Sequence, residues 1–390
     1  MPVLGFTCLA FAAAASAVQL TSSALAMYRC RKPARVPRPR EQPPITLVRP
    51  LCGLEPFSRE TLSSSFGMDY PHYEILFCVA DAADPIIPLA RALIAEHPEH
   101  DARLLIGQDA IGSNPKLNNM AKGFRQARFA HIVFVDSNVF TPPSYLNQLM
   151  NALEKGAGMV SAPPVGQAPA GFWAQLECAF LNSYQARMQY AVDTLGFGFA
   201  QGKTLFFRRA DLEHGGFAQL AAEPAEDAAS TKLIHSKGQR VRLAGPFAQL
   251  VGPRTGAQVW QRQVRWARLR RASFPLWFAP EILAGALPPL LALAYGLSAY
   301  DIFSPTLLLV FVALWYLPEL ILARVAGWPR NLGLMMLRDL SLPFIFAAGC
   351  AGSSFEWHGK QMTAGHEDDE PAVAKPKRRW ARLASRGPAG

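Results

Sequence analysis

The chain has 390 residues, of which 50% are hydrophobic and only 17% are charged, with 39 basic against 29 acidic side chains. This composition excludes a disordered or fibrous protein, because those classes contain far less apolar material. The six cysteines are widely spaced and form no CxxC pair, so neither a disulfide scaffold nor a structural zinc site is indicated, and the middle of the chain is expected to face a reducing compartment.

The first predicted element is an apolar helix over residues 1–28, which contain no charged side chain. About 20 apolar residues are enough to cross a bilayer, so a membrane span fits there. A cleaved signal peptide is the alternative, because small residues occur at 24–26, but signals carry their positive charge before the apolar stretch. Here the basic residues follow it, in the proline-rich linker 29–43. The positive-inside rule therefore predicts an N-terminus outside the cell and a cytoplasmic location for the chain after residue 29.

Residues 44–271 are predicted to form a single α/β domain with a largely parallel sheet. Short apolar strands are expected at 45–48, 75–79, 104–106 and 132–135, and helices at 85–97 and 116–128. This alternation of strands and helices is typical of an α/β fold.

Acidic residues follow two of the predicted strands. Asp81 and Asp84 come after one strand, and Asp136 and Asn138 come after another. Each aspartate alone is equally well explained as a turn or helix-capping residue. However, ligands bind beyond the carboxyl ends of such strands, so two acidic positions of this kind indicate a ligand-binding site. A carboxylate and an amide oxygen two residues apart suit a hard cation such as Mg²⁺, whose other ligands come from substrate phosphates.

Two further elements bring charged groups to the end of this domain. Asp227 opens a stretch of helical length, where an acidic residue also complements the helix dipole. A basic helix predicted over 258–271 places Arg262 and Arg265 on one face with Trp266. Arginines in this arrangement can clamp a diphosphate; the alternative is a juxtamembrane helix whose arginines hold lipid headgroups.

The region 272–355 is apolar again and is predicted to lie in the membrane. Two spans fit, over 280–300 and 305–323. The basic tail, 356–390, favours a cytoplasmic C-terminus and hence an even number of spans after the α/β domain. Membrane topology and attraction to anionic lipid explain the positive charge, and no nucleic-acid motif accompanies it.

A third apolar segment, 332–348, has two interpretations because Arg338 and Asp339 lie at its middle. Ionisable groups are costly in lipid. An interfacial or re-entrant helix is therefore as good an interpretation as a third span.

Taken in order, four motifs resemble those of processive and lipid-acting inverting glycosyltransferases, whose pattern is D, DxD, D and (Q/R)xxRW. They are Asp81, Asp136-Ser137-Asn138, Asp227 and the RQVRW stretch at 262–266. The sequences FCVAD at 77–81 and NPK at 114–116, with the RxxRW form of the last motif, are similar to ceramide glucosyltransferases, especially bacterial ones. The resemblance covers about residues 45–275, and the membrane layout agrees with it.

This resemblance implies a GT-A fold that binds a UDP-sugar and a divalent cation, Mg²⁺ or Mn²⁺. The residues that it assigns to the nucleotide-sugar are Asp81, Asp84, Lys116, Asp136 and Asn138. Asp136 and Asn138 are also the expected metal ligands.

The same resemblance implies the catalytic roles. Asp227 would be the general base that takes the proton of the acceptor hydroxyl. Arg262 and Arg265 would stabilise the departing UDP, and Trp266 would border the sugar or acceptor pocket.

The activity implied by the resemblance is inverting transfer of glucose from UDP-glucose to the primary hydroxyl of ceramide, giving β-glucosylceramide. The protein would be a multi-pass protein of the bacterial inner membrane with a cytoplasmic catalytic domain. Alternatives are another lipid acceptor (a hopanoid polyol or diacylglycerol), another UDP-sugar, or elongation of a polysaccharide. A different class, a catalytically silent membrane binding protein, is also open.

Overall fold

The computed structural model describes residues 2–31, 36–213, 215–357 and 360–363. The predicted linker 29–43 lies partly outside these residues, and most of the predicted tail 356–390 lies outside them. The strands are β1 (Ile45–Leu51), β2 (Tyr73–Val79), β3 (Asp101–Ile106), β4 (His131–Val135), β5 (Met159–Ser161), β6 (Pro164–Ala170), β7 (Thr204–Arg208), β8 (Val241–Leu243), β9 (Phe247–Pro253), β10 (Ser354–Trp357) and β11 (Lys360–Thr363).

The helices form two groups, one in the α/β region and one in the apolar regions. The first group is α2 (Ser58–Ser63), α3 (Ile87–Glu96), α4 (Pro115–Gln126), α5 (Tyr145–Glu154), α6 (Phe172–Ala179), α7 (Arg187–Thr194), α8 (Arg209–Leu212), α9 (Gly216–Ala221), α10 (Glu226–Ser236) and α11 (Gly256–Ser273). The second group is α1 (Pro2–Cys30), α12 (Pro275–Phe278), α13 (Leu287–Ala299), α14 (Pro305–Ala326) and α15 (Leu332–Cys350). A π-helical segment, Phe180–Ala186, joins α6 to α7 without a break.

A seven-stranded sheet with the order β3-β2-β1-β4-β7-β5-β8 forms the centre of the α/β region. The first four strands in this order are parallel, whereas β7 is antiparallel to both β4 and β5. A separate parallel pair, β6 and β9, lies outside this sheet. The predicted α/β fold is therefore confirmed, with β7 as the strand that departs from the parallel arrangement.

The sheet is buried on both faces, and this explains why its strands were visible in the sequence. Leu47 and Phe77 belong to an apolar cluster on one face, and their neighbours Val48 and Cys78 belong to the cluster on the other face. Strands covered on both sides consist of uninterrupted apolar residues. All seven residues of β1 are buried.

Three helices, α1, α14 and α15, are long and apolar enough to cross a bilayer. The first two agree with the spans predicted over 1–28 and 305–323. The span predicted over 280–300 is not a single straight helix, because the chain there forms two helical pieces whose axes differ by 51°. Gly285 breaks the segment with a φ of +82°, and α13 alone rises only about 20 Å. The two pieces form a broken span or a re-entrant loop.

The third apolar segment forms α15, which lies against the α/β region. Near its middle, Arg338 donates to the hydroxyl of Ser183 at 2.7 Å. At its end, Gly349 packs so closely on Ala267 that an added Cβ would lie 2.9 Å from the Ala267 Cβ. Gln167 of β6 donates to the carbonyl of Gly327, at the end of α14, which ties the connection between α14 and α15 to the α/β region. These contacts place α15 against the α/β region, and its length and apolar character also fit a span, so the structure is compatible with both interpretations of this segment.

The ionisable residues of α15 are buried in a network of charges rather than in lipid. Arg338 donates to Glu319 of α14 at 2.9 and 3.2 Å and to Asp339 at 2.8 Å. Gln19 of α1 donates to Glu319 at 2.7 Å, and Arg187 of α7 lies 4.0 Å from the same carboxylate. Two arginines therefore balance two carboxylates, which is the arrangement that ionisable groups at membrane depth require. The network joins α1, α7, α14 and α15.

Candidate active site

The loop that follows β4 is the centre of the candidate site, and an arginine beneath it holds it in place. Arg49 of β1 is fully buried, and its guanidinium donates to the main-chain oxygens of Asp136 at 3.2 Å and Val139 at 3.1 Å. Burial lowers the pKa of Arg49 to about 10, so the side chain stays charged at neutral pH. The sequence analysis did not identify Arg49; its only signal was a lone charge inside an apolar strand.

Two lysines flank the carboxylate of Asp136. Lys116 Nζ lies 2.6 Å from Asp136 Oδ1, and Lys203 Nζ lies 2.7 Å from Oδ2. Burial alone would raise the pKa of Asp136, but the two ammonium groups outweigh it and hold the pKa well below the usual value. Asp136 is therefore ionised throughout the physiological range.

Lys116 is positioned by the start of α4 and connects the two acidic motifs. Asn114 caps this helix by accepting hydrogen bonds from the main-chain N–H groups of Lys116 and Leu117. From there the Lys116 ammonium reaches Glu226 Oε1 at 2.7 Å as well as Asp136. Glu226 also accepts a hydrogen bond from Asn114 Nδ2 at 3.1 Å. The structure thus brings Lys116 next to Asp136, while its assignment to the nucleotide-sugar stays a prediction, and Glu226 is an additional carboxylate that the sequence analysis passed over.

Asp227 lies beside this cluster at the start of α10. Its Oδ2 accepts a hydrogen bond from the main chain of Gly202 at 2.9 Å, and its Oδ1 accepts one from Ala228 at 2.8 Å. Burial and the neighbouring carboxylate of Glu226 raise the pKa of Asp227 to about 6, against the opposing effect of Lys116. A carboxyl group with this pKa is ionised at neutral pH and yet basic enough to accept a proton.

Gly202 allows these groups to meet. A Cβ at this position would lie 2.7 Å from Glu226 Oε1, 3.0 Å from Lys116 Nζ and 3.6 Å from Asp227 Oδ2. The carbonyl of Gly202 also accepts a hydrogen bond from Lys116. Any larger residue would push apart the carboxylates and the lysine.

Asp136 and Asn138, the expected metal ligands, converge on one point. Lys203 Nζ contacts both Asp136 Oδ2 at 2.7 Å and Asn138 Oδ1 at 3.2 Å. Two hard oxygens directed at one positive charge fit a divalent cation whose remaining ligands come from substrate phosphates. In the part of the chain that the structure describes, no group of three or more Asp, Glu, His or Cys side chains could hold a metal by itself.

A chain of alternating charges connects Asn138 to the basic helix α11. The Asn138 amide donates to Glu55 at 3.2 Å, and Glu55 lies 3.9 Å from Arg254. Arg254 in turn lies 3.5 Å from Glu177, whose fully buried carboxylate also pairs with Arg262. The sequence analysis identified Arg262 but not the three residues that connect it to the Asp136 loop.

Arg265 and Trp266 follow Arg262 on α11 and are both half-buried. Burial, together with repulsion from Arg262, lowers the pKa of Arg265 to about 10, while Glu226 acts in the opposite direction. Trp266 packs against a small apolar cluster that includes Cys178 of α6. The structure therefore brings Arg265 near the acidic residues and directs Trp266 toward α6.

Asp81 and Asp84 lie at the end of β2, apart from the Asp136 cluster. Asp81 is exposed and accepts a hydrogen bond from the main chain of Ala83 at 2.9 Å. Asp84 accepts hydrogen bonds from Gly53 at 3.0 Å and Ile86 at 2.9 Å. Among the described residues, these carboxylates have the turn-forming contacts of the structural alternative, and their assignment to the nucleotide-sugar stays a prediction.

The role of Glu177 is open to a direct test. We expect Glu177→Gln to lower kcat/KM by about tenfold or more, because the charge that fixes the guanidinium of Arg262 is lost. Steady-state kinetics on the purified protein measure this. The matched control is Glu96→Gln, which removes a carboxylate from an exposed pair with Arg59 and should leave the kinetics unchanged. Equal kinetics of the two variants would contradict a role for Glu177.

The sequence model of glycosyl transferase family 21 matches residues 7–369. The chain is also similar to ceramide glucosyltransferase 1 of Caenorhabditis elegans, with 25% identity over 334 residues that cover 82% of this chain and 71% of the relative. With the ceramide glucosyltransferase of Komagataella phaffii it shares 37% identity over 133 residues, which cover 33% of this chain and 26% of the relative.

Two solved structures are similar to this chain at low identity. One is the mannosyltransferase PcManGT from Pyrobaculum calidifontis in complex with GDP-Man and Mn²⁺, with a TM-score of 0.47, 19% identity, and coverage of 85% of this chain and 99% of that one. The other is TarS 1-349 of S. aureus in complex with UDP-GlcNAc, with a TM-score of 0.37, 15% identity, and coverage of 84% and 98%.

Proposed function

Because the chain belongs to glycosyl transferase family 21, we propose that it transfers glucose from UDP-glucose to the primary hydroxyl of ceramide, with inversion to β-glucosylceramide. The relatives named ceramide glucosyltransferase support this choice of sugar and acceptor. The observation that carries the proposal is the position of Asp227, a carboxylate with a pKa of about 6, beside the Lys116 and Asp136 pair.

Asp227 is the general base of the proposed reaction. A primary hydroxyl is a weak acid, so its attack on the anomeric carbon requires a carboxylate that accepts the proton as the new bond forms. The hydrogen bond from Gly202 to Oδ2 and that from Ala228 to Oδ1 fix the orientation of this carboxylate. Attack from the face opposite to UDP inverts the anomeric configuration.

The leaving diphosphate requires positive charge, and the site supplies it from side chains that are paired with carboxylates in the structure. Lys116 and Lys203 pair with Asp136, and Arg262 pairs with Glu177. A bound diphosphate would compete with these carboxylates for the cationic groups, since charge-assisted hydrogen bonds to phosphate are strong. The same groups then stabilise the charge that develops on departing UDP.

Asp136 and Asn138 would hold a divalent cation in this proposal. Such an ion, when bound, neutralises charge on the diphosphate as the glycosidic bond to UDP breaks. Lys203 lies between the two ligand oxygens in the structure, so its ammonium must leave that point when the ion binds. Once it has left Asp136 and Asn138, the ammonium of Lys203 is free to bind a phosphate oxygen of the donor.

Chelation tests the metal assignment. We expect excess EDTA to reduce turnover to background, because without a cation the carboxylate of Asp136 only adds negative charge beside the diphosphate, and Mg²⁺ or Mn²⁺ to restore it. Radioactive sugar transfer to lipid is the measurement. An Asp136→Asn variant should show little recovery at the metal concentration that restores the wild type. Full activity in EDTA would remove Asp136 and Asn138 from this role.

The proposed site of the reaction is the cytoplasmic side of a bacterial inner membrane, which the basic residues after the first apolar helix favour. Gly5 packs against Ala299 and Gly296 packs against Leu9, so α13 lies beside the first half of α1. At the other end of α1, Arg29 pairs with Asp193 of α7 at 2.5 Å. In this proposal the broken segment 275–299 crosses the membrane once, α14 is the return span and α15 lies along the domain, so two spans follow the catalytic domain. A reporter fused after residue 30 should register as cytoplasmic, and a periplasmic signal would contradict this topology.

Lipid analysis tests the acceptor and donor together. Membranes from a host without glycolipids, expressing this chain, are given ceramide or diacylglycerol with UDP-glucose, UDP-galactose or UDP-N-acetylglucosamine, and products are identified by mass spectrometry. We expect a glucosylceramide with β configuration, absent from an Asp227→Asn control. A product on diacylglycerol alone, or with another sugar alone, would replace that part of the proposal. A hopanoid polyol is the next acceptor to test if neither lipid is glycosylated.

A further inference from the structure

A cationic cavity lies at the end of α14, away from the candidate active site. Its volume is about 430 Å³, and it is lined by Ala323, Arg324, Gly327, Trp328 and Arg330. The side chains that line it include two arginines and no carboxylate. From this cavity we infer a binding site for the phosphate of an anionic lipid headgroup.

The two arginines differ from four other arginines near the membrane helices. Arg29, Arg187, Arg270 and Arg338 each pair with a carboxylate. Within the described part of the chain, Arg324 and Arg330 have no ion pair, and both are exposed.

A buried tryptophan adds a second, independent observation. Trp328 is only 4% exposed, and its indole Nε1 is buried without an acceptor among the described residues. Buried donors normally have a partner, because leaving one unsatisfied costs about 1–3 kcal/mol. Trp328 lines the cavity, so a movement of its ring that exposes Nε1 would bring this donor to a bound phosphate.

The local backbone explains how these side chains come together. Gly327 ends α14 in the left-handed conformation, with a φ of +69°. Its N–H donates to Arg324 O, and Trp328 N–H donates to Ala323 O, which is the Schellman pattern. These bonds satisfy two carbonyls at the negative end of the helix dipole. The carbonyl oxygens therefore repel a nearby anion less than free carbonyls would. The reversal of the chain then brings Arg330 to the same cavity as Arg324.

The location of the cavity favours a lipid over a soluble ligand. It follows a 22-residue apolar helix, and Gln167 of β6 donates to Gly327 O at 3.1 Å, which joins this end of α14 to the α/β domain. The junction between an apolar span and a soluble domain is the level at which lipid headgroups lie. Basic pockets at this level bind anionic lipids, and arginine suits phosphate because its planar group donates two parallel hydrogen bonds.

Native mass spectrometry of the full chain in a non-ionic detergent tests the site. Phosphatidylglycerol or phosphatidylcholine is added, and the bound lipid is counted. We expect the Arg324→Gln, Arg330→Gln double variant to bind phosphatidylglycerol about tenfold more weakly than the wild type. The matched control is Arg91→Gln, Arg240→Gln, which removes the same charge from exposed positions of the α/β region and should bind like the wild type.

Competition with inorganic phosphate shows whether the ligand of the cavity is the phosphate of a lipid headgroup or free phosphate. If roughly millimolar phosphate leaves phosphatidylglycerol bound, the ligand is a lipid headgroup. If phosphate binds and displaces the lipid in the wild type but not in the double variant, the cavity is a site for free phosphate, and the lipid assignment is overturned. Equal binding of phosphatidylglycerol by the wild type and both double variants would overturn the site altogether.

Discussion

Asp227→Asn is expected to lower kcat for glycosyl transfer by about 10²- to 10⁴-fold, the usual contribution of a general base. Asparagine has nearly the same shape and can still accept the hydrogen bond from Gly202, so the fold should be kept. It cannot take the proton of the acceptor hydroxyl. Initial rates of glycolipid formation measure the effect, with Asp109→Asn, in an exposed pair with Arg125, as the control. A variant with more than about a tenth of wild-type activity would exclude Asp227 as the base.

The pH dependence of the wild type gives an independent test of the same assignment. A base must be deprotonated to act, and the pKa of Asp227 is raised to about 6. kcat/KM should therefore be constant above about pH 7 and fall tenfold for each pH unit below about 6. The residual activity of Asp227→Asn should lack this inflection. A wild-type profile without an inflection between about pH 5 and 7 would contradict the environment assigned to Asp227.

Arg338→Leu is expected to destabilise the protein by about 3–5 kcal/mol, because it leaves the buried carboxylates of Glu319 and Asp339 without their main cationic partner. A fall in the midpoint of thermal unfolding in detergent is the measurement. Arg91→Leu removes an arginine from an exposed position and should change the midpoint little. An unchanged midpoint for Arg338→Leu would show that the network does not hold the helices together.

A double variant separates loss of charge balance from loss of packing. Arg338→Leu combined with Glu319→Leu removes one charge of each sign, and Arg187 and Asp339 remain to balance each other. We expect this variant to recover part of the stability lost by Arg338→Leu, since replacing a buried pair by apolar residues is often neutral. A double variant less stable than the sum of the two single changes would show that the cost comes from packing.

Local patterns in the sequence were sufficient for the first four strands and for the positions of Asp136 and Asp227. Strands buried on both faces are visible as apolar runs, and a polar residue directly after such a run lies at the sheet edge. The partners of these residues were not visible in the same way. Glu177 and Arg262 are 85 positions apart, and no local pattern relates them.

The break within 280–300 was not visible in the sequence for a similar reason. Average apolar character does not reveal a backbone break, and the break depends on one glycine with a positive φ. Arg338 presented the opposite difficulty, because its charge suggested a cost in lipid that burial among protein groups removes. In both cases the deciding information lay in three-dimensional contacts or backbone angles.

The uninterrupted helical rod from α6 through the π segment to α7 has a mechanical consequence. Near one end, Glu177 holds Arg262 of the candidate site, and toward the other end Arg187 donates to Ser22 of α1 and approaches Glu319 of α14. One continuous helical element therefore contacts both the apolar helices and the arginine that we propose to stabilise departing UDP. A change in bilayer thickness that tilts α1 and α14 would therefore be expected to shift Arg187 and, along the same helical rod, Glu177 and its partner Arg262.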